Sequence, residues 1–173
     1  MKKYVLTGGQ GTGKSTLLAR LSARGFRTLP EAARQVIEEE LAAASDRLPW
    51  KDLAAFQQRV VRLQLEWEDG LNDGNDIIFL DRSIIDGHSY SRHGGAETPA
   101  EIAHHARGRY DRVFVLEPLP TYENDACRRE TKEEQVVIHN LVIEDYRSFG
   151  YEPIFVPVLP VEERADYILK YLD

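Results

Sequence analysis

Short apolar runs alternate along this chain with longer stretches in which apolar residues recur every three or four positions. The runs are rich in β-branched and aromatic residues and predict five β-strands, at 3–7, 26–29, 76–81, 112–116 and 154–156. The amphipathic stretches predict the intervening helices, the longer of them at 31–44, about 52–71, 131–149 and 161–172. This alternation predicts one three-layer α/β/α domain over residues 1–173, with a parallel sheet and right-handed crossovers.

The helix predicted from about residue 52 carries an apolar stripe that indicates packing rather than chemistry. Its members recur at spacings of three and four: Leu53, Phe56, Val60, Leu63 and Trp67. The same helix suits a dimer interface as well as a core, so the sequence leaves the oligomeric state open. Two further segments, 98–101 and 131–134, carry the Thr-x-x-Glu pattern of a capping box and predict helix starts.

A glycine-rich segment lies between the first predicted strand and the first predicted helix. Residues 8–16 read GGQGTGKST and fit G-x-x-x-x-G-K-[ST], a loop whose backbone N–H groups wrap a nucleotide triphosphate. Lys14 is predicted to reach the β- and γ-phosphates, and the Ser15 hydroxyl to hold Mg²⁺. The predicted ATP-binding residues are therefore Gly9, Gln10, Gly11, Thr12, Gly13, Lys14, Ser15 and Thr16.

Acidic and basic residues follow two of the predicted strands. Asp81 ends an apolar run, where a carboxylate can bind Mg²⁺, and Arg82 could neutralise charge on a transferring phosphoryl group. Glu31 follows another strand and shares a helical face with Arg34. Glu31 fits a substrate ligand or general base, but equally a helix-start carboxylate paired with Arg34. Asp81 is the rival base if it does not bind the metal.

A polar segment between the fourth strand and the next helix has the character of a lid. Residues 121–130 carry several charges, and a mobile segment near 118–131 could close over nucleotide phosphates. Arg128 is its predicted catalytic and nucleotide-binding charge, with Arg129 as a second candidate. Cys127 is interpreted as a bystander. Ser83 is predicted to shape a turn, and Asp86 and Tyr90 to border the same cleft.

The amino-acid composition limits the classes of partner and ligand that the protein is expected to bind. A net charge of −7 and a pI near 5.3 argue against broad nucleic-acid or anionic-membrane binding. The single cysteine excludes an intrachain disulfide, which suits the cytoplasm, and no apolar run approaches the ~20 residues of a membrane span. None of the five histidines has zinc-ligand spacing, so they are interpreted as structural or solvated.

Beyond the phosphate loop, the chain resembles the small P-loop ATPases and kinases that are classified with AAA-type domains, a family that includes the ribosylnicotinamide kinase domain. The matching pieces are 8–16, 30–34, Asp81-Arg82-Ser83 with Asp86, and Asn124-Asp125 with Arg128. The Asp-Arg-Ser piece is also similar to deoxyribonucleoside kinases. The resemblance implies a sheet order 2-3-1-4-5, binding of ATP with Mg²⁺, and phosphoryl transfer to a small acceptor.

Three functions remain in competition at this point. The first is a kinase that phosphorylates a nucleoside-like metabolite, with either Glu31 or Asp81 as base. The second is a regulatory ATPase or nucleotide switch read by a protein partner; Arg82 stands where motor ATPases carry a second acid, which weighs against it. The third, a polynucleotide kinase, is disfavoured by the acidic pI. Absence of an N-K-x-D motif disfavours a conventional GTPase but leaves the choice of ATP or GTP open.

Overall fold

The predicted order of strands and helices is confirmed, with small changes at the ends of elements. The computed structural model describes residues 1–71, 76–120 and 131–172. Over these ranges the elements are β1 (Lys2–Thr7), α1 (Lys14–Ala23), β2 (Arg27–Leu29), α2 (Ala32–Ala42), α3 (Leu53–Asp69), β3 (Ile77–Asp81), α4 (Ile84–His93), α5 (Ala100–His105), β4 (Arg112–Leu116), α6 (Lys132–Ser148), β5 (Ile154–Val156) and α7 (Val161–Leu169).

The five strands form one parallel sheet in the order β2-β3-β1-β4-β5, as the resemblance implied. β1 is the central strand and pairs with β3 on one side and β4 on the other. Leu6, near the end of β1, pairs with Asp81, the last residue of β3. The register therefore places Asp81 beside the start of the glycine-rich loop, at the edge where ligands bind in open α/β sheets.

Alternate residues of the three central strands, β1, β3 and β4, fill two separate cores, which is why the fold has three layers. Val5 faces a core shared with α3, α4, α5 and α6, together with Leu80 and Val113. Its neighbours Tyr4 and Leu6 face the opposite core, which α1 and α7 cover. Both faces of a parallel sheet must be buried, so these strands read as continuous apolar runs rather than as alternating ones.

Helix α3 is buried on more than one side. The predicted stripe is confirmed, because its residues pack with Val36 and Ile37 of α2. A second face turns toward the sheet and contains Val61 and Leu65, which join the central core. Between the two faces lie buried polar residues, among them Gln57, Gln64 and Glu68.

The two predicted capping boxes have different outcomes. At the start of α6 the Glu134 carboxylate accepts from the Thr131 backbone N–H at 2.7 Å, and the Thr131 hydroxyl accepts in return at 3.2 Å. The box predicted at 98–101 is wrong, because α5 begins one residue later and no side chain caps it. Glu101 instead accepts hydrogen bonds from Gln58 and Arg62 of α3, so tertiary contacts replace the local cap. Among the described helices, none has the length and apolar content needed to cross a bilayer.

Candidate active site

The glycine-rich loop leaves the end of β1 in a conformation that requires glycine. Gly8 has φ +126°, and a Cβ there would lie 2.8 Å from the backbone oxygen of Leu116. Gly13, immediately before α1, has φ +84°. Side chains at either position would be strained, and at Gly8 one would also collide with β4. The loop therefore brings its backbone and the N-terminus of α1 to one edge of the sheet, where N–H groups can bind phosphate.

Lys14 is folded back onto this loop. Its ammonium donates to the backbone oxygens of Gly8 at 3.2 Å and Gly9 at 2.8 Å, and to the Thr12 hydroxyl at 3.3 Å. Burial, followed by the nearby positive charge of Arg82, lowers the pKa of Lys14 to about 8. The positive charge is therefore held at an energetic cost, which an anionic phosphate at this point would relieve.

Ser15 and Asp81 meet where the loop and β3 converge. The Ser15 hydroxyl donates to one carboxylate oxygen of Asp81 at 3.0 Å, while the other oxygen is buried and without a partner among the described residues. Burial and the negative charge of Glu31 raise the pKa of Asp81 to about 6. Mg²⁺ prefers oxygen ligands and would hold this carboxylate ionised, so the pair fits the predicted metal site.

The described residues contain no cluster of three or more His, Cys, Asp or Glu that could hold a metal ion. A Mg²⁺ ion bound with a nucleotide needs no such cluster, because it uses one or two protein ligands and completes its shell with phosphate oxygens and water.

Arg82 connects the parts of the site. Its guanidinium donates to Glu31 at 2.9 Å, to the backbone oxygen of Gly8 at 3.2 Å, to Asp86 at 3.0 Å and to the Tyr90 hydroxyl at 3.1 Å. Its backbone has φ +69°, the left-handed region that arginine rarely adopts. Such backbone strain persists only where surrounding contacts stabilise it. Here the four hydrogen bonds of the guanidinium provide that stabilisation and hold the side chain against the loop.

Glu31 is the residue immediately before α2, as the sequence predicts. Its side chain accepts a hydrogen bond from Arg82. Burial raises the pKa of Glu31, but the positive charges of Arg82 and Lys14 outweigh it and lower the pKa overall. The side chain is therefore a carboxylate at neutral pH, able to accept a hydrogen bond or a proton. Arg34 lines the same cavity.

Asp86 borders the cleft as predicted, but its oxygens are already occupied. One accepts from the Thr7 hydroxyl at 2.6 Å and from Arg82, and the other from the Ser83 backbone N–H at 3.0 Å and the Tyr146 hydroxyl at 2.7 Å. Together with the Ser83 side chain, which caps α4, these bonds form a capping box. Asp86 is therefore a structural carboxylate that holds Arg82 in place.

A cavity of about 370 Å³ extends from the loop toward α2, α3 and α4. Arg82, Glu31 and Tyr90 lie along it. Residues of the predicted phosphate site form its polar end: Gln10, Gly11, Gly13, Lys14, Ser15 and Thr16. Side chains from α2, α3 and the segments before α3 and after β4 form an apolar wall: Ile37, Pro49, Leu53, Phe56, Val60 and Leu119. A polar phosphate end joined to an apolar pocket is the shape expected for two substrates placed end to end.

The model of the family described as AAA domain matches residues 3–164. The chain belongs to the AAA domain family. A search of curated proteins finds no match.

Several solved structures share the fold of this AAA domain at low sequence identity. NadR in complex with NR superposes with a TM-score of 0.75 at 21% identity over 98% of this chain, which spans about half (51%) of the NadR chain. Deoxyadenosine kinase from M. mycoides gives 0.64 at 17% identity, covering 97% of this chain and 96% of that one. Thymidylate kinase from Candida albicans gives 0.65 at 16%, covering 98% and 89%.

Two residues that contact the loop of this AAA domain had no signal in the sequence. His139 of α6 accepts a hydrogen bond from the Gly9 N–H at 3.2 Å, and Arg164 of α7 donates to the backbone oxygen of Thr12 at 2.7 Å. The interpretation of the histidines as structural or solvated did not include this contact with the loop. Both contacts join positions more than a hundred residues apart, so local pattern could not reveal them.

The predicted lid lies mostly outside the described residues. Arg128, Arg129 and Cys127 fall within 121–130, which the structure does not describe, and their roles stay predictions. The described part that precedes them reaches the site, because Leu119 lines the cavity and approaches Gly13.

Proposed function

We propose that this AAA domain is an ATP-dependent kinase that transfers the γ-phosphoryl group to a hydroxyl of a small nucleoside-like molecule. The observation that carries the proposal is the continuous cavity, which joins a phosphate-binding loop to an apolar pocket through Arg82 and Glu31. A protein that only hydrolysed ATP would need the loop but not the pocket. The likeness of the fold to nucleoside and nucleotide kinases supports the same class of acceptor.

The nucleotide would occupy the loop formed by residues 9–16. Backbone N–H groups and the N-terminus of α1 would receive the phosphates, and Lys14 would turn from the loop oxygens to the β- and γ-phosphate oxygens. Ser15 and Asp81 would hold Mg²⁺, which neutralises charge on the phosphates when bound. The preference for ATP over GTP is part of the proposal.

Glu31 is the proposed base, because it lines the apolar cavity while Asp81 is bonded to Ser15. An acceptor hydroxyl would donate a hydrogen bond to the Glu31 carboxylate. Its oxygen then forms a bond to the γ-phosphorus as the bond to the β-phosphate oxygen breaks, and the proton passes to Glu31. Arg82, held by Glu31 and Asp86, would stabilise the negative charge on the transferred group.

ADP release in the presence of Mg²⁺ and a panel of nucleosides tests this function. The kinase accelerates ADP release with a subset of acceptors. Glu31→Gln lowers that acceptor-dependent rate about 100-fold or more, the size expected for loss of a general base. Glu66→Gln, an exposed carboxylate of α3, serves as the matched control and keeps the wild-type rate. Slow hydrolysis that no small molecule accelerates, but a protein partner does, would replace the kinase with a regulatory ATPase.

A further inference from the structure

Arg164 of α7 is a buried guanidinium without an ion-pair partner among the residues that the structure describes. Its exposed fraction is 3%, and two of its nitrogens, Nε and Nη2, are buried and have no hydrogen-bond partner within the described ranges. Glu162, in the same turn of α7, pairs instead with Arg20 and Arg24. Because arginine keeps its proton even when buried, a positive charge lies here without an opposite charge beside it.

The remaining nitrogen of Arg164 contacts the glycine-rich loop. Nη1 donates to the backbone oxygen of Thr12 at 2.7 Å, and a Cβ at Gly13 would lie 3.2 Å from the same nitrogen. The guanidinium therefore lies directly against the peptide unit that joins Thr12 to Gly13. This unit comes immediately before Lys14, the first residue of α1.

The orientation of that peptide unit follows from its hydrogen bond. In a trans peptide the C=O and N–H bonds point in opposite directions, and no peptide bond of the described residues is cis. Since the Thr12 oxygen points toward Arg164, the Gly13 N–H points away from it. Gly13 and Lys14 line the phosphate end of the cavity. A charged donor on the oxygen also polarises the peptide, which makes the Gly13 N–H a stronger donor to an anion.

The free-energy cost of the buried charge depends on what the loop binds. Burial lowers the pKa of Arg164, and no charged group among the described residues offsets this effect. A buried charge is poorly screened by salt and acts over several ångströms. Phosphate groups bound by the loop would supply the missing negative charge, and each further phosphate would supply more of it. Binding of a polyphosphate would therefore reduce the cost of burying Arg164.

We propose that Arg164 is a positioning residue for the nucleotide phosphates, which orients and polarises the Thr12–Gly13 peptide and places a buried positive charge behind the loop. The inference rests on the proposed function only in placing a nucleotide polyphosphate at residues 9–16, and it does not require phosphoryl transfer. It adds a residue of the last helix to a phosphate site that the sequence assigns to one contiguous segment.

Calorimetric binding of ATP, ADP and AMP in the absence of an acceptor tests the inference. Arg164→Gln keeps a donor for the Thr12 oxygen but has no charge. We expect it to weaken ATP binding about 10-fold or more, ADP binding less, and AMP binding by about twofold or less. Arg164→Lys keeps the charge and retains most of the ATP affinity. Arg62→Gln removes the same charge at an exposed position of α3 and leaves all three affinities unchanged.

The graded loss separates this role from a purely structural one. Because Arg164→Gln replaces a buried charge that has no counter-charge, we expect the variant to fold, and thermal unfolding checks this. The inference is overturned if Arg164→Gln binds ATP as tightly as the wild type, or if it weakens all three nucleotides by the same factor. It is also overturned if Arg164→Lys binds ATP no better than Arg164→Gln.

The same measurements distinguish this inference from the kinase function. Charge-dependent ATP binding by a protein that forms no phosphorylated product would remove the kinase function and leave the role of Arg164 intact. Phosphoryl transfer by the wild type, together with normal ATP affinity in Arg164→Gln, would do the reverse.

Discussion

Lys14 gives the stability of the free protein a pH dependence that can be measured. Its ammonium is buried against Gly8, Gly9 and Thr12, and its pKa is lowered from 10.5 to about 8. Replacing it with methionine keeps much of its length but removes the charge. Because the substitution also removes hydrogen bonds to the loop, the informative quantity is the change of stability with pH rather than its value at one pH.

The expected size follows from the two pKa values. An unfolded Lys14 keeps its proton up to about pH 10.5, whereas the folded one releases it near pH 8. The unfolded state therefore binds more protons in this window, and stability rises with pH. A shift of about 2.5 units corresponds to about 3 kcal/mol in total, of which about 2 kcal/mol falls between about pH 7.5 and about pH 9.5.

Urea denaturation at these two pH values provides the assay. From the lower to the higher pH, the free energy of unfolding of the wild type increases by about 2 kcal/mol more than that of Lys14→Met. Groups that do not interact with Lys14 are shared and cancel in the comparison, and the two carboxyls whose pKa values Lys14 lowers, Glu31 and Asp81, titrate mainly below this pH range. Lys170→Met removes an exposed lysine and keeps the wild-type pH dependence. If the free energy of unfolding of wild type and of Lys14→Met changed equally with pH, Lys14 would not be a buried ammonium with a lowered pKa, and this account of the loop would be refuted.

Two further predictions concern residues that support the site. Asp86→Asn breaks the buried pair with Arg82 and lowers the free energy of unfolding by about 3 kcal/mol in urea titrations, whereas Asp69→Asn, at an exposed carboxylate, changes it by less than about 1 kcal/mol. An inactive Asp86→Asn protein of unchanged stability would show that Asp86 acts in the chemistry. Burial lowers the pKa of His139 below 6.5; the negative charge of Glu117 opposes this shift and the positive charge of Lys14 adds to it. Because the unfolded state then binds a proton more readily than the folded one, acidification favours unfolding. His139→Gln keeps an acceptor for the Gly9 N–H and therefore loses less stability than wild type between about pH 7.5 and about pH 5.5; identical losses would contradict this role.

The parts of the fold and site that depend on neighbouring residues could be predicted from the sequence. The phosphate loop is contiguous, so its residues and the strand and helix around it follow from one segment. Asp81 and Glu31 were placed correctly because each follows a recognisable strand, and parallel strands end at the same edge of a sheet. Long amphipathic helices were found for the same reason, since their periodicity is local.

Features that depend on contacts across the fold could not be predicted. The charge of Arg34, three residues away, does help to lower the pKa of Glu31 as its position suggests, but the hydrogen bond between Glu31 and Arg82, on another strand end, could not be predicted. The cap expected at Thr98 is absent because Glu101 bonds to α3 instead. Gln57 is indistinguishable in sequence from its partnered neighbour Gln58, and only the packing of α3 against α4 shows which of them faces the cavity.

The fate of the γ-phosphoryl group is the most direct test of the central claim. ATP labelled in this group is incubated with Mg²⁺, the wild-type protein and a nucleoside that binds, and the products are separated by chromatography and examined by phosphorus NMR. The account predicts that the label appears as a phosphate ester of the nucleoside and that Lys14→Ala abolishes this product. Label found only in inorganic phosphate, at a rate that the nucleoside does not change, would contradict it.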